Sequence, residues 1–242
     1  MTSKQFPRAA TLACAALMPC TLWAAGPVPP AAPTALSAPA TVSPDPEWAG
    51  AYGGLTLGFA LPGQDAVGVS PAGSPASIAI GQLDSEGLNG GVRLGYRWQI
   101  GMVVAGPELA LEGGKVEDRF STGGYDAETR LIRALSLRLK AGLAQPAWGT
   151  QLYAIAGVSR GEFDYAVTGT GAAGPAAIDT AFSANGHILG LGIEKQLGDR
   201  LSVTGEYEHS SFGKTRLEDA GGAATQATPR FHNLKLGVNL RF

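Results

Sequence analysis

Cysteine is almost missing from this chain: its two examples, Cys14 and Cys20, both lie within the first 25 residues. If that segment is removed, no thiol remains, which excludes disulfide-stapled secreted folds and thiolate metal sites. Charge is also scarce, at 16% of residues against about 25% in ordinary soluble domains. There is no basic excess either. The 18 Lys+Arg face 20 Asp+Glu, too few cations to neutralise a phosphate backbone, so nucleic acid is not an expected partner. Beyond residue 25 no run of about 18 apolar residues occurs, which removes helical transmembrane spans. Glycine, by contrast, is abundant at 35 residues, but it follows no three-residue period and so does not signal collagen. A soluble all-β protein and a transmembrane β-barrel survive these exclusions.

The N-terminus carries two composition blocks. Lys4 and Arg8 precede an apolar stretch over 9–23, followed by Ala24 and Ala25; this is the pattern of a secretory signal peptide over 1–25. The alternative, a lipoprotein acylated at Cys20, is disfavoured by Pro19 just before it. Residues 26–47 repeat proline among alanine and serine, a composition that buries no core and reads as an extended periplasmic tether. Folding is expected to start at Trp48.

From 48 to 242 the governing period is two. His232, Leu234, Leu236, Val238, Leu240 and Phe242 share one face, and Asn233, Lys235, Gly237, Asn239 and Arg241 share the other. The same alternation sets Leu88, Val92, Leu94, Tyr96 and Trp98 against Asn89, Arg93 and Arg97. It also sets Leu131, Leu135, Leu137, Leu139 and Leu143 against Arg130, Ser136, Arg138 and Lys140. Over 150–160 apolar residues fall on both parities, Leu152 with Val158 and Tyr153 with Ile155, and the orientation stays open. Eight strands follow, at about 48–60, 88–99, 102–113, 129–143, 150–163, 186–196, 201–212 and 231–242. Strands of this length exceed the usual 5–6 residues and suit a bilayer crossing of about 9–11. The connections alternate: 100–101, 144–149 and 197–200 are short, while 61–87, 114–128, 164–185 and 213–230 are long and read as external loops. The expected fold is all-β, an eight-stranded antiparallel up-and-down transmembrane barrel over 48–242.

Three segments then carry a resemblance: Trp48-Ala-Gly-Ala-Tyr52, Gly90-Gly-Val-Arg-Leu-Gly95-Tyr-Arg-Trp98 and Gly106-Pro-Glu108-Leu-Ala. With Gly190-Leu-Gly-Ile-Glu194, Leu197-Gly-Asp199 through Glu206-Tyr207, and the terminal Phe242, they are similar in order to small porin-family outer-membrane proteins of the Omp25/Omp31 and opacity-protein type. The resemblance implies a Gram-negative outer-membrane barrel exported through the Sec pathway. It would be inserted by the barrel-assembly machinery with Phe242 as C-terminal assembly signal. A structural, surface-antigen or small-pore role follows, in contact with outer-membrane lipids and lipopolysaccharide, as a monomer. The Ala/Pro tether and the Gly/Ala-rich connections depart from that pattern.

Parity places Arg93, Arg97, Glu108, Glu112, Arg138, Lys140, Glu194, Glu206, Glu208 and Lys235 on the inner face, both signs together. Buried charge has to be paired, and eight strands leave room for little beyond side chains, so a salt-bridged plug is expected in preference to a conduction path. Gly91, Gly95, Gly190, Gly192 and Gly237 make space for large neighbours inside a narrow barrel. Outward Tyr96, Trp98, Tyr207 and Phe242 suit an interfacial girdle. His187, His209 and His232 are scattered in sequence without ligand spacing, so neither a metal nor a cofactor is expected. Two alternatives to a structural role remain: a loop-mediated adhesin, and an enzyme. In Glu206-Tyr-Glu-His209-Ser-Ser211-Phe212 the histidine and serine share one face, an arrangement similar to lipid A deacylase barrels. Phe212 stands where those enzymes have asparagine, the last strand offers no orienting acid, and Glu218 and Asp219 are the nearby acids.

Overall fold

A computed structural model describes residues 48–63, 65–74 and 76–242. The signal-peptide and tether expectations fall outside the described residues. Alternation of apolar and polar residues over 195 positions produces twelve strands: β1 (Gly50–Pro62), β2 (Asp65–Ser70), β3 (Ile78–Leu83), β4 (Gly87–Ile100), β5 (Val103–Thr122), β6 (Tyr125–Gln145), β7 (Thr150–Gly171), β8 (Gly174–Gln196), β9 (Leu201–Phe212), β10 (Thr215–Glu218), β11 (Ala224–Ala227) and β12 (Arg230–Arg241). Eight of them close into an antiparallel barrel in the order β1-β12-β9-β8-β7-β6-β5-β4. Closure leaves no edge unpaired, the condition for strands to cross lipid.

The barrel is inverted relative to a soluble core. Leu55, Leu57, Leu94, Leu137, Leu139, Leu191, Leu236 and their neighbours point outward and exposed, whereas Arg93, Glu108, Arg138 and Glu208 are buried inside. At one end the strands are joined by short turns: Gly101–Met102, a 3-10 turn at Pro146–Trp148 closed by Gly149 in the left-handed region (φ 54°), and 197–200. The undecided strand resolves here, with Leu152, Ala154 and Val158 outward and Gln151, Tyr153 and Ile155 inward.

At the other end the connections expected as loops are β-structure. Strands β5 to β8 run to 20, 21, 22 and 23 residues, roughly twice the 9–11 that a tilted crossing needs. The alternation continues through 163–182, with Phe163, Tyr165, Val167, Ala176 and Ile178 buried on one side, but there the side chains are small or flanked by Gly, Thr and Ala, which disguises the period. Two hairpins built from 61–87 and 213–230 form a second sheet in the order β10-β11-β2-β3, facing the extensions of β5–β8. Between them lies a core of Val67, Val69, Leu83, Tyr125, Tyr165, Val167, Ile178 and Leu217. The wall thus continues beyond the barrel as two facing sheets. Their seams are bridged by the Glu86–Glu117 pair and by Asp219, whose Oδ2 accepts from the Ala177 N–H at 3.0 Å.

One orientation differs from the alternation read in the sequence. A bulge between Leu131 and Arg133 shifts the register of β6 against β7, so Leu131 is buried inside and Arg130 is exposed. A bulge inserts one residue and flips every side chain beyond it. Leu131 therefore joins the inner core above the charged zone.

Candidate functional site: the barrel interior

All ten inward charges converge. Nearest the short-turn end, Arg97 grips Glu194 with two bonds of 2.9 and 3.1 Å. Glu194 also accepts from Gln151 and Asn239, each at 2.9 Å, and from the Ser202 hydroxyl. The Arg97 guanidinium lies 3.9 Å from the centre of the Tyr52 ring, a cation–π contact. One layer further in, Arg93 donates to Glu206 (2.9 Å), Asn239 (2.7 Å) and Thr204 (2.7 Å). Lys140 bridges Glu108 and Glu206 at 2.7 Å each. The Tyr52 hydroxyl donates to Glu108 at 2.8 Å and that of Tyr153 to Glu206 at 2.6 Å. Above them Arg138 reaches Glu112 at 2.7 Å, with Glu208 at 3.0 Å and Glu108 at 3.6 Å, and Lys235 bridges Glu112 and Glu208 at 2.6 Å each.

The five cations and five carboxylates of this network balance, so no net charge is left in the low-dielectric interior, where an unpaired ion is costly. Two further layers follow. Asn89 and Asn233 exchange side-chain bonds at 3.2 and 3.1 Å, and Ser136 donates to Ser159 at 3.0 Å. Above these the interior turns apolar with Ala60, Val116, Leu131, Phe163, Phe212 and Phe231. Phe163 meets Phe212 edge to face at 5.0 Å and stacks on Phe182 at 5.4 Å.

Sequence reasoning missed the two tyrosines of this network. Tyr52 and Tyr153 lie opposite Gly95 and Gly192 in register, and a Cβ on either glycine would sit 2.5 Å from the tyrosine ring. A glycine opposite an inward tyrosine on the next strand was the available signal. Gly91 and Gly190 likewise leave room for Glu112 and Glu208, at 2.7 and 3.0 Å from a would-be Cβ, and Gly237 for Arg93.

On the outer surface Tyr96, Trp98, Tyr207 and Phe242 are all exposed, and Tyr96 and Trp98 pair at 5.0 Å. Phe242 donates its backbone N–H to Ala51 O at 3.0 Å, tying the C-terminus to β1. The three histidines are not scattered in space. Register sets His209 beside His232 and His187 beside Ser211, because β8, β9 and β12 are neighbours in the wall although distant in sequence. Among the described residues no group of three or more His, Cys, Asp or Glu has metal-holding geometry. His209 and Ser211 share the outward face of β9, but the ionisable groups acting on His209 are His232, His187 and Arg230. Glu218 instead pairs with Arg216 at 2.6 Å, and Asp219 binds backbone N–H groups of Ala177 and Ala223.

Residues 30–242 match the family described as outer membrane protein beta-barrel domain. The chain is 27% identical to the 31 kDa outer-membrane immunogenic protein of Brucella melitensis biotype 1 over 221 residues, covering 88% of this chain and 89% of that protein. The protein of the same description from Brucella suis biovar 1 gives the same figures. Among solved structures it is similar to the outer membrane protein OprG of Pseudomonas aeruginosa, with a TM-score of 0.52 and 14% identity over 80% of this chain and 97% of that one; this likeness bears on the fold alone. A closed ring of strands with an apolar exterior, matched to that family over most of its length, means that the chain belongs to the outer membrane protein beta-barrel domain family and is an outer-membrane barrel with a structural, surface role.

Proposed function

We propose that this barrel is closed to solutes and serves as a non-catalytic anchor that holds its two-sheet head outside the membrane. The observation that carries this reading is the unbroken filling of the lumen: the neutral ion network, then the Asn and Ser layer, then the Phe163–Phe212–Phe231 plug. A narrow eight-stranded barrel filled by side chains has no aqueous path. Sec export, insertion by the assembly machinery through Phe242, and a monomeric state among outer-membrane lipids and lipopolysaccharide belong to the same reading. Recording from planar bilayers tests it. Purified, heat-modifiable protein should show no resolvable single-channel current, and a stable open conductance on the scale of a general porin would overturn it.

Among the described residues no carboxylate is placed to orient the histidine of the deacylase alternative. His209 faces imidazoles and an arginine rather than a carboxylate, and Ser211 is buried between its register neighbours His187 and Arg230. A serine nucleophile needs a base that is itself oriented.

A further inference from the structure

The outward rows of β7, β8, β9 and β12 change character towards the two-sheet end. On β7 the apolar row Leu152, Ala154, Ala156 and Val158 gives way to Arg160; on β8 Ile193, Leu191 and Leu189 give way to His187. On β9 Tyr207 is followed by His209, and on β12 Leu234 is followed by His232 and Arg230. Register makes these residues contiguous: Val158, His187, Ser211 and Arg230 form one cross-strand row, and Leu189, His209 and His232 form the next. The His209 and His232 rings lie 4.6 Å apart, and Tyr207 anchors His232 through a 2.7 Å contact between its hydroxyl and Nδ1. On β1 and β4 the corresponding outward positions stay apolar, with Phe59 paired to Leu88.

Cationic side chains predominate on the patch. Glu162, the carboxylate nearest Arg160 on its own strand, is held by Arg133 with bonds of 2.8 and 3.0 Å. Arg160 and Arg230 form no ion pair among the described residues. His209 Nδ1 is buried without a hydrogen-bond partner. A cationic face that begins where a lipid-facing apolar band ends sits at the level of the lipid headgroups. Guanidinium and imidazolium groups there match phosphate.

We propose that Arg160, His187, His209, His232 and Arg230 form a docking face for the phosphorylated headgroup of an outer-leaflet lipid, and that occupancy rises on acidification. The two arginines supply charge at neutral pH. Histidine is the side chain that gains charge on mild acidification, and three of them stand beside the two arginines. The charged and titratable groups facing His209 are His232, His187 and Arg230; Tyr207 contacts His232, and Glu162 faces Arg160 while it is bonded to Arg133. The inference rests on the reading that the two-sheet head lies outside, and it is independent of whether the lumen conducts.

The test uses the full chain folded in neutral detergent, with heat-modifiable mobility as the folding check. Binding is measured by native mass spectrometry with bisphosphorylated lipid A, its dephosphorylated form and inorganic pyrophosphate, at about pH 7.5 and 5.5. Phosphorylated lipid A should be retained and the dephosphorylated form should not. Arg160→Gln with Arg230→Gln should weaken retention about tenfold or more at both pH values. His209→Gln with His232→Gln should remove the acid-dependent increment. Equal retention of both lipid forms, or insensitivity to both variant pairs, overturns the proposal. Full competition by pyrophosphate at equal concentration would reassign the face to a soluble anion and overturn the lipid assignment.

Discussion

Arg138 is the most connected charge in the lumen, and its removal gives the sharpest test of the network. Its side chain is fully buried and faces Glu112 at 2.7 Å, Glu208 at 3.0 Å and Glu108 at 3.6 Å. Arg138→Ala would leave five carboxylates against four cations. Lys235 still bridges Glu112 and Glu208, and Lys140 still holds Glu108, so the cost belongs near the lower end of the 3–5 kcal/mol range for breaking a buried pair, about 3 kcal/mol. With a urea slope of about 1–3 kcal/mol per molar, the unfolding midpoint should fall by roughly 1–3 M. Tryptophan fluorescence of the barrel in detergent micelles or vesicles reads it. Two controls bound the result. Ser136→Ala removes one neutral hydrogen bond and should cost about 1 kcal/mol. Arg119→Ala breaks an exposed pair with Glu128 and should cost between about 0 and 1 kcal/mol. Adding Glu208→Gln to Arg138→Ala restores neutrality and should recover about 1 kcal/mol or more of the loss. If Arg138→Ala shifts the midpoint no further than Ser136→Ala does, the buried charges are hydrated and the plug argument fails.

Deleting Phe242, or replacing it with aspartate, should sharply lower the outer-membrane level, measured by fractionation; unchanged levels with normal heat-modifiability would refute its part in assembly. Gly192→Val drives a branched side chain into the Tyr153 ring and should cost about 1–3 kcal/mol, whereas Gly205→Ala, whose Cβ meets only Ile193 at 3.6 Å, should be tolerated in the same urea assay. The Ala177 N–H bond, with that of Ala223, holds the Asp219 carboxyl below its usual range. The clasp should therefore persist above about pH 4 and be lost only as pH falls through that lowered value. Asp219→Ala should speed amide exchange at Ala177 at neutral pH, and equal exchange in both proteins would remove the clasp. Overexpression of the wild-type chain should leave lipid A acylation unchanged by mass spectrometry; loss of an acyl chain that depends on Ser211 would revive the enzyme.

The membrane barrel was legible because its two faces obey opposite rules on one strand. Arg93 and Arg97 alternate with Leu94 and Trp98, and no soluble sheet exposes leucines while burying arginines. The ten inward charges followed from parity alone, since in-register strands with a period of two leave no other face for them. Leu131 escaped that logic because a bulge carries no reliable signature in one sequence. The histidine cluster escaped it for a different reason. His187, His209 and His232 meet only through the pairing of β8, β9 and β12, so their distance along the chain says nothing about the wall. Tyr52 and Tyr153 were not assigned to the interior, because an aromatic on a barrel strand looks equally like girdle and interior until the opposing glycine is considered.

The head was harder to read because the chain crosses the membrane edge without changing its period. On β7 the outward row turns from Leu152 and Val158 to Arg160 and Asp164, while the inward row turns from Gln151 and Ser159 to Phe163, Tyr165 and Val167. Both rows exchange polarity within a few residues, and the alternation continues unbroken. In lipid the wall must be apolar outside and can be polar inside; in water the same wall must be polar outside and can close only over an apolar interior. The exchange therefore marks where the solvent changes rather than where the strand ends. A connection rich in Gly, Thr and Ala but retaining alternate Phe, Tyr, Val and Ile on one parity is a strand that has left the membrane. By that criterion 164–185 belongs to the two-sheet head, and the cationic patch of Arg160, His187, His209 and His232 lies at the boundary between the two solvents.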